Sequence, residues 1–257
     1  MVARPVESKE RCPVALVTGA GRGIGHAITG ALTEAGFRVA AISREAADSR
    51  PDLIPPGGCY YQADIAEIES HGGLFDRIAA DLGTPTCLVN NAGITSRQRG
   101  DLLTLGPESF DATLAVNLRA AFFLSQAFAN RVIGAQPHGP RSLIFIGSVN
   151  AAIVGENRAD YCISKAGIAM MNQLFAARLA EHAIAVYEIR PGIIRTEMTA
   201  PATEKYDALI ARGGVPQQRW GEPGDVARTV VALATGTIPY ATGIHIDVAG
   251  GLQMYRV

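Results

Sequence analysis

Two textures alternate along the chain. Short runs rich in β-branched residues, at 14–18, 38–42, 87–90, 143–146 and 186–189, are separated by longer stretches of helical character. Runs that are apolar throughout, bounded by turn residues and interleaved with helices, predict parallel strands covered on both faces. The first helix is expected to begin near Ile24 and to stop at Gly36, whose missing side chain suits a C-terminal cap. Further helices are expected over about 107–131 and 160–182. Residues 51–58 and 134–140 read as surface loops, because proline and glycine there break both periodicities. No internal repeat or low-complexity tract interrupts the pattern.

In a parallel sheet of this kind, ligands collect outside the carboxyl ends of the strands. Counting a third strand just before Asp64-Ile65, the polar landmarks fall at those ends: a glycine-rich loop after the first strand, Asn90-Asn91-Ala92-Gly93 after the fourth (87–90), Gly147-Ser148 after the fifth (143–146) and Arg190-Pro191-Gly192 after the sixth (186–189). Four separate strand ends therefore point to one shared pocket.

The loop Thr18-Gly19-Ala20-Gly21-Arg22-Gly23-Ile24-Gly25 follows a strand and opens a helix. Its backbone amides and the helix N-terminus can face a pyrophosphate, and the glycines let it approach. The G-x-G-x-x-G spacing is not met from either Gly19 or Gly21, and a tight strand-to-helix turn is the alternative reading of the cluster alone. About 20 residues on, where an acidic residue would hold the ribose hydroxyl of NAD, the second strand ends in Ser43-Arg44. Arg44 and Arg22 put positive charge where the extra phosphate of NADP would lie. NADP(H) is the preferred cofactor and NAD(H) the alternative, with Glu45 placed to neutralise Arg44.

Tyr161 and Lys165 stand one helical turn apart in Tyr161-Cys162-Ile163-Ser164-Lys165. Positions i and i+4 share a helix face. A free phenol, with a pKa of roughly 10, shuttles protons poorly near neutrality. A neighbouring ammonium favours the phenolate, so Lys165 is expected to lower the pKa of Tyr161. With Ser148 upstream, the set reads as a hydride-transfer site.

Composition narrows the remaining choices. With 257 residues, 48% of them hydrophobic, the chain can bury the core of one large α/β domain. Lys and Arg number 23 against 24 Asp and Glu, and both signs are scattered, so nothing invites nucleic acid. No apolar run approaches the roughly 18 residues that span a bilayer, and the first eleven residues hold no apolar signal core. A frayed tail over 1–12, a catalytic domain over 13–257 and a cytoplasmic location are expected. Cys12, Cys59, Cys87 and Cys162 are too widely spaced for a zinc or disulfide framework and read as free buried thiols; no metal site is expected.

Thr18-Gly-x-x-x-Gly-x-Gly25, Asn90-Asn-Ala-Gly93, Asn117, Ser148, Tyr161-x-x-x-Lys165 and Pro191-Gly192, in this order and at these spacings, resemble the short-chain dehydrogenase/reductase family from about residue 13 to Gly250-Gly251. The resemblance implies a single Rossmann-type doubly wound α/β sheet with helices on both faces. It implies that Tyr161 is the acid/base and that Lys165 lowers its pKa while bonding the nicotinamide ribose. Ser148 would hold the substrate oxygen, and Asn117 would support a water chain from Lys165 to solvent. Carried over by motif, the cofactor would meet Gly19, Gly21, Arg22, Gly23 and Ile24, then Ser43 and Arg44, with Asp64-Ile65 at the adenine. Asn91, Ala92 and Gly93 would line the ribose, and Pro191, Gly192, Ile194 and Thr196 would lie near the carboxamide. Asp64 also reads as a helix N-cap. The family further implies a homotetramer through the two long helices before the fifth and sixth strands, and a mobile substrate lid over about 196–215 with a helix near 204–212.

The substrate is less legible. The loop Val154-Gly155-Glu156-Asn157-Arg158 is polar enough for a hydroxylated or anionic substrate, and equally reads as a solvated loop. The whole is close to the 3-oxoacyl carrier-protein reductases, yet the expected docking neighbourhoods read Gln136-Pro137-His138-Gly139 and Glu181-His182-Ala183, without a clear basic patch. A ketone/secondary-alcohol oxidoreductase on a free small molecule therefore ranks first and carrier-protein reduction second. A catalytically dead nucleotide sensor would be expected to lose Tyr161 or Lys165, and a serine hydrolase would need Gly-x-Ser-x-Gly around Ser148, which Ile146-Gly147-Ser148-Val149-Asn150 does not supply.

Overall fold

The computed structural model describes residues 12–46, 54–135, 137 and 139–254. Seven parallel strands, β1 (Val14–Thr18), β2 (Arg38–Ser43), β3 (Cys59–Gln62), β4 (Cys87–Asn90), β5 (Ser142–Ile146), β6 (Ala185–Pro191) and β7 (Ile244–Val248), form one sheet in the order β3-β2-β1-β4-β5-β6-β7. The order reverses direction between β1 and β4, which opens a crevice at their carboxyl ends. The helices are α1 (Gly23–Glu34), α2 (His71–Leu82), α3 (Pro107–Leu114), α4 (Ala121–Ala135), α5 (Ala159–Leu179), α6 (Thr203–Ala211) and α7 (Pro223–Ala234).

The two faces of the sheet follow from the period of two along each strand. Ala15 and Val17 of β1 pack with Ile28 and Leu32 of α1 and Val226 and Val230 of α7. Val14 and Leu16 point the other way, into Phe75 of α2, Leu124 and Phe128 of α4 and Ile168 of α5. Both faces are dry, so β1 has no polar alternation to display. Each fully buried Leu or Phe contributes roughly 1.5–3 kcal/mol by leaving water.

The first helix, the central strands and the site-bearing helix lie where the pattern puts them. Gly36 takes φ +90 one residue beyond the α1 C-cap Ala35. The expected helix over 107–131 is instead interrupted. Residues Ala115–Ala120 form a π-helical turn between α3 and α4, a local widening that frees backbone groups and re-aims one side chain. That side chain is Asn117. The combined helical run Pro107–Ala135 is, by length and composition, apolar enough to span a membrane, although polar residues such as Asp111, Asn117 and Arg119 interrupt it. Its buried residues Leu124, Phe128 and Val132 sit in the core. Strand β7 was not foreseen: His245 and Asp247 break its apolar run, and Ile244 is exposed. The thiols are free, but only Cys87 is buried, Cys12, Cys59 and Cys162 being partly exposed. Most of the expected tail (1–11), part of the 51–58 loop, and Gln136 and His138 lie outside the described residues.

Candidate active site

The glycine loop is built for close approach. Gly19 and Gly23 adopt φ +65 and +52, a region that side chains oppose. A Cβ on Gly25 would fall 2.1 Å from the Gly19 carbonyl, and one on Gly19 would fall 2.9 Å from Ala92 Cα. Thr18 and Asn91 fasten this loop to the end of β4. The Thr18 hydroxyl accepts from the Asn91 and Ala92 amides at 3.0 Å, while Asn91 Nδ2 donates to the Thr18 and Gly19 carbonyls. The Asn91 side chain is thus committed to the loop, leaving its backbone to line the crevice. Helix α1 starts with no side-chain cap and no acid in its first turn. Unspent amides at the positive end of a helix, behind a cradle that any Cβ would fill, fit the pyrophosphate of a dinucleotide.

At the edge of this crevice Arg22 Nη1 bonds Glu197 Oε2 at 3.0 Å, tying the loop to the segment after β6. Thr196 lies alongside, its Cγ2 3.3 Å from where a Gly23 Cβ would stand. Arg44 is 3.9 Å from Asp64, not from Glu45 as the sequence suggested. Glu45 instead turns its carboxylate toward Gly21 and Ser43. Asp64 does not cap α2, which begins at His71; its Oδ1 accepts from the Ala66 amide at 2.9 Å and closes a local turn. Gly192 meets Ala249, where a Cβ would fall at 2.8 Å, and Ile194 is buried beside Gly221.

On the other side of the crevice, Ser148 at the end of β5 and Tyr161 and Lys165 on α5 converge. The Ser148 oxygen accepts from the Asn150 amide at 3.1 Å and faces the Tyr161 phenol closely enough to favour its phenolate. Lys165 is buried and donates to the Ile146 carbonyl at 2.9 Å, with its ammonium 5.6 Å from the Tyr161 ring centre. Asn117, aimed by the π turn, accepts from the Ile94 amide at 2.8 Å and donates to the Ile94 carbonyl and to Ser164 Oγ at 2.9 and 3.0 Å. Ser164 in turn donates to the Tyr161 carbonyl at 2.7 Å. Asn117 therefore couples the β4 loop to the turn carrying Tyr161.

A family model described as Enoyl-(Acyl carrier protein) reductase matches residues 19–253. The chain belongs to the short-chain dehydrogenase/reductase family. It is 34% identical to human (3R)-3-hydroxyacyl-CoA dehydrogenase over 98% of this chain and all of that protein. A crystal structure of a 3-oxoacyl-[acyl-carrier protein] reductase from Brucella melitensis in complex with NAD superposes with a TM-score of 0.93 at 43% identity, covering 96% of this chain and 99% of that one. A solved Agrobacterium tumefaciens chain with bound NADP superposes with a TM-score of 0.83 at 30% identity, covering 96% and 98%. As a member of this family the protein is an oxidoreductase acting on CH–OH groups.

Within this short-chain dehydrogenase/reductase site, one electrostatic expectation is corrected. Burial pushes the Tyr161 phenol above its ordinary value, and the Ser148 hydroxyl and the charge of Arg158 oppose that only in part. The net direction is therefore upward, set by burial, with the Lys165 ammonium 5.6 Å from the ring centre and bonded to the Ile146 carbonyl. Burial instead lowers Lys165 itself to about 8, with the Glu188 carboxylate acting the other way.

Two residues the sequence reading passed over support the site. Asp160, fully buried, accepts from Ser96, from Ser109 at 2.8 Å, from Thr113 at 3.0 Å and from the Tyr161 amide at 2.8 Å. Burial disfavours its charge, but these bonds outweigh that and hold the carboxyl below the usual range. Glu188 is buried on β6 with Arg190 Nη2 at 2.8 Å. An acid in the first turn of α5 and a charge inside an apolar strand were the available signals.

Proposed function

We propose that the protein interconverts a ketone and a secondary alcohol on a small molecule, with Tyr161 as the acid/base and NADP(H) as the preferred dinucleotide. The single observation that carries this reading is the meeting of Ser148, Tyr161 and Lys165 opposite a glycine loop whose Gly19 and Gly25 leave no room for a Cβ. The dinucleotide, when bound, supplies or removes hydride. Gly19, Gly21, Gly23 and Ile24 hold its pyrophosphate, Ser43 and Arg44 its adenosine ribose, Asp64 and Ile65 the adenine. Backbone at Asn91, Ala92 and Gly93 and the Pro191 to Thr196 segment flank the nicotinamide end.

Ser148 and Tyr161 donate to the substrate oxygen, where negative charge grows in the transition state, so their bonds strengthen as the barrier is climbed. The raised phenol keeps its proton until that oxygen takes it, which suits the reductive direction. Lys165 holds a positive charge beside the phenolate then formed, and Asn117 keeps the turn in register. Residues 196–215, with α6 resting on Trp220, Ile193 and Val215, act as the substrate lid.

Glu45 favours a second reading of the cofactor, NAD(H), because its carboxylate lies by Gly21 and Ser43. Carrier-protein reduction is the second substrate reading, carried by the likeness to the Brucella protein. A homotetramer is supported by an apolar groove of about 600 Å³ between α4 and α5, with Phe122, Met170 and Leu174 exposed along it. Free thiols throughout suit a reducing, cytoplasmic setting.

The test is nucleotide absorbance during turnover on free ketones, sugars and 3-oxoacyl thioesters, with NADPH and NADH in parallel. Tyr161→Phe is expected to lower turnover by at least the 10²- to 10⁴-fold typical of a positioned proton donor, with nucleotide affinity retained. Wild-type rates in that variant would end the assignment.

A further inference from the structure

We infer that Arg158 binds a carboxylate of the substrate beside the reacting carbon, so that the ketone or alcohol turned over is an anionic one. This rests on the oxidoreductase reading above and adds the substrate class to it. Arg158 is the N-cap of α5, three residues before Tyr161, with non-helical backbone angles of φ −154 and ψ 55. Its stem folds over Gly155: a Cβ there would fall 2.7 Å from Arg158 Nε and 2.9 Å from Cγ, so the glycine leaves a lane for the arginine.

The Arg158 Nε is buried without a hydrogen bond, and no carboxylate among the described residues pairs with it. Arg190, whose Nε is likewise buried, differs in having Glu188 on its terminal nitrogen. Two acids lie two residues away in sequence; of these Asp160 is spent on three hydroxyls and the Tyr161 amide. Glu156 is exposed.

Nε is enclosed by protein while the residue as a whole is only half-buried, so a ligand would meet the terminal nitrogens. A planar fork of donors is matched by a carboxylate, with two parallel charge-assisted bonds. Arg158 heads the helix that carries Tyr161, three residues before it, and its charge acts on the phenol, so an anion held there would share the Tyr161 end of the crevice. The neighbouring loops carry charges of both signs, exposed Arg97 and Arg99 beside exposed Asp101 and Glu156. Gly100 donates to the Asn157 carbonyl at 3.3 Å, bringing the loop that carries exposed Arg97 and Arg99 against the Arg158 loop.

The experiment compares α-, β- and γ-keto acids with their methyl esters in the wild type, Arg158→Gln and Arg158→Lys, reading kcat and KM separately. Equilibrium titration calorimetry of the matching hydroxy acids runs alongside. The wild type is expected to prefer at least one acid over its ester. In Arg158→Gln that preference should fall about 10- to 100-fold, the loss of charge-assisted bonds to one group, mostly in KM, with partial rescue in Arg158→Lys. Equal effects on acid and ester, or a wild type that favours the esters throughout, would overturn the assignment. So would a preference for phosphorylated ketones over keto acids. If no ketone is turned over yet hydroxy-acid binding still falls in Arg158→Gln, the oxidoreductase reading fails and the Arg158 site stands.

Discussion

The carboxylate of Glu188 rests against the α-carbon of Gly147: a Cβ on that glycine would fall 2.2 Å from Glu188 Oε1. The strand end that delivers Ser148 is thus shaped by a buried charge on the neighbouring strand, which also bears on Lys165. Gly147→Ala must push Glu188 off Arg190 or displace β5. Overpacking of this kind is expected to cost about 1–3 kcal/mol, read as a lower urea midpoint at unchanged slope, together with reduced kcat. An alanine variant as stable as the wild type would show that Glu188 has room to move.

Lys165 gives a pH signature with a definite sign. Its folded value, about 8, lies below the ordinary 10.5. Between those values the unfolded chain holds the extra proton, so this group makes the fold more stable as pH rises. The full swing is on the order of 3 kcal/mol. The stability of the wild type relative to Lys165→Met should therefore climb between about pH 8 and pH 10. Denaturant melts of the nucleotide-free pair at several pH values measure it, and a flat difference would refute the buried ammonium.

How far the sequence carried this reading depends on the range of the interaction. The glycine loop, β1, β4, β5 and α5 were legible because each is specified by neighbours in sequence: apolar runs, turn residues and the i to i+4 pairing of Tyr161 with Lys165. The π turn at Asn117 was not, since it depends on Ile94 across the crevice. Nor were the partners of Arg44 and Glu45, which are set by how β2 and β3 end against the loop. Strand β7 escaped because it borrows its order from β6, residue against residue from Tyr187 with Ile244 to Pro191 with Val248. The direction of the Tyr161 shift needed burial, which spacing does not reveal.

Asp160 ties the start of α5 to the loop after β4 and to α3. Removing its carboxylate leaves Ser96, Ser109, Thr113 and the Tyr161 amide without their acceptor. Asp160→Ala is expected to lose about 2–4 kcal/mol and to lower kcat through the misplaced Tyr161. The carboxyl sits below its usual range, so its contribution is full above about pH 4 and fades as acid takes the pH through the lower folded value. Melts of Asp160→Asn against the wild type should accordingly converge on acidification. A constant gap would mean that the site holds the neutral acid.

Two glycines of the same helix separate the nucleotide cradle from ordinary helix propensity. Gly25 faces the loop, and its substitution by alanine would set a methyl 2.1 Å from the Gly19 carbonyl, so the loop must open. Even one lost amide–phosphate bond of about 1.5–3 kcal/mol weakens nucleotide binding roughly 10- to 100-fold. Gly30 lies on the exposed face of α1 with nothing within 4 Å of a Cβ. Gly30→Ala restricts the unfolded chain without a clash and should stabilise by about 0.5–1 kcal/mol while leaving nucleotide affinity alone. Fluorescence titration with NADPH and NADH, beside thermal melts, separates the two effects. Unchanged affinity in Gly25→Ala would remove the glycine loop from the binding site.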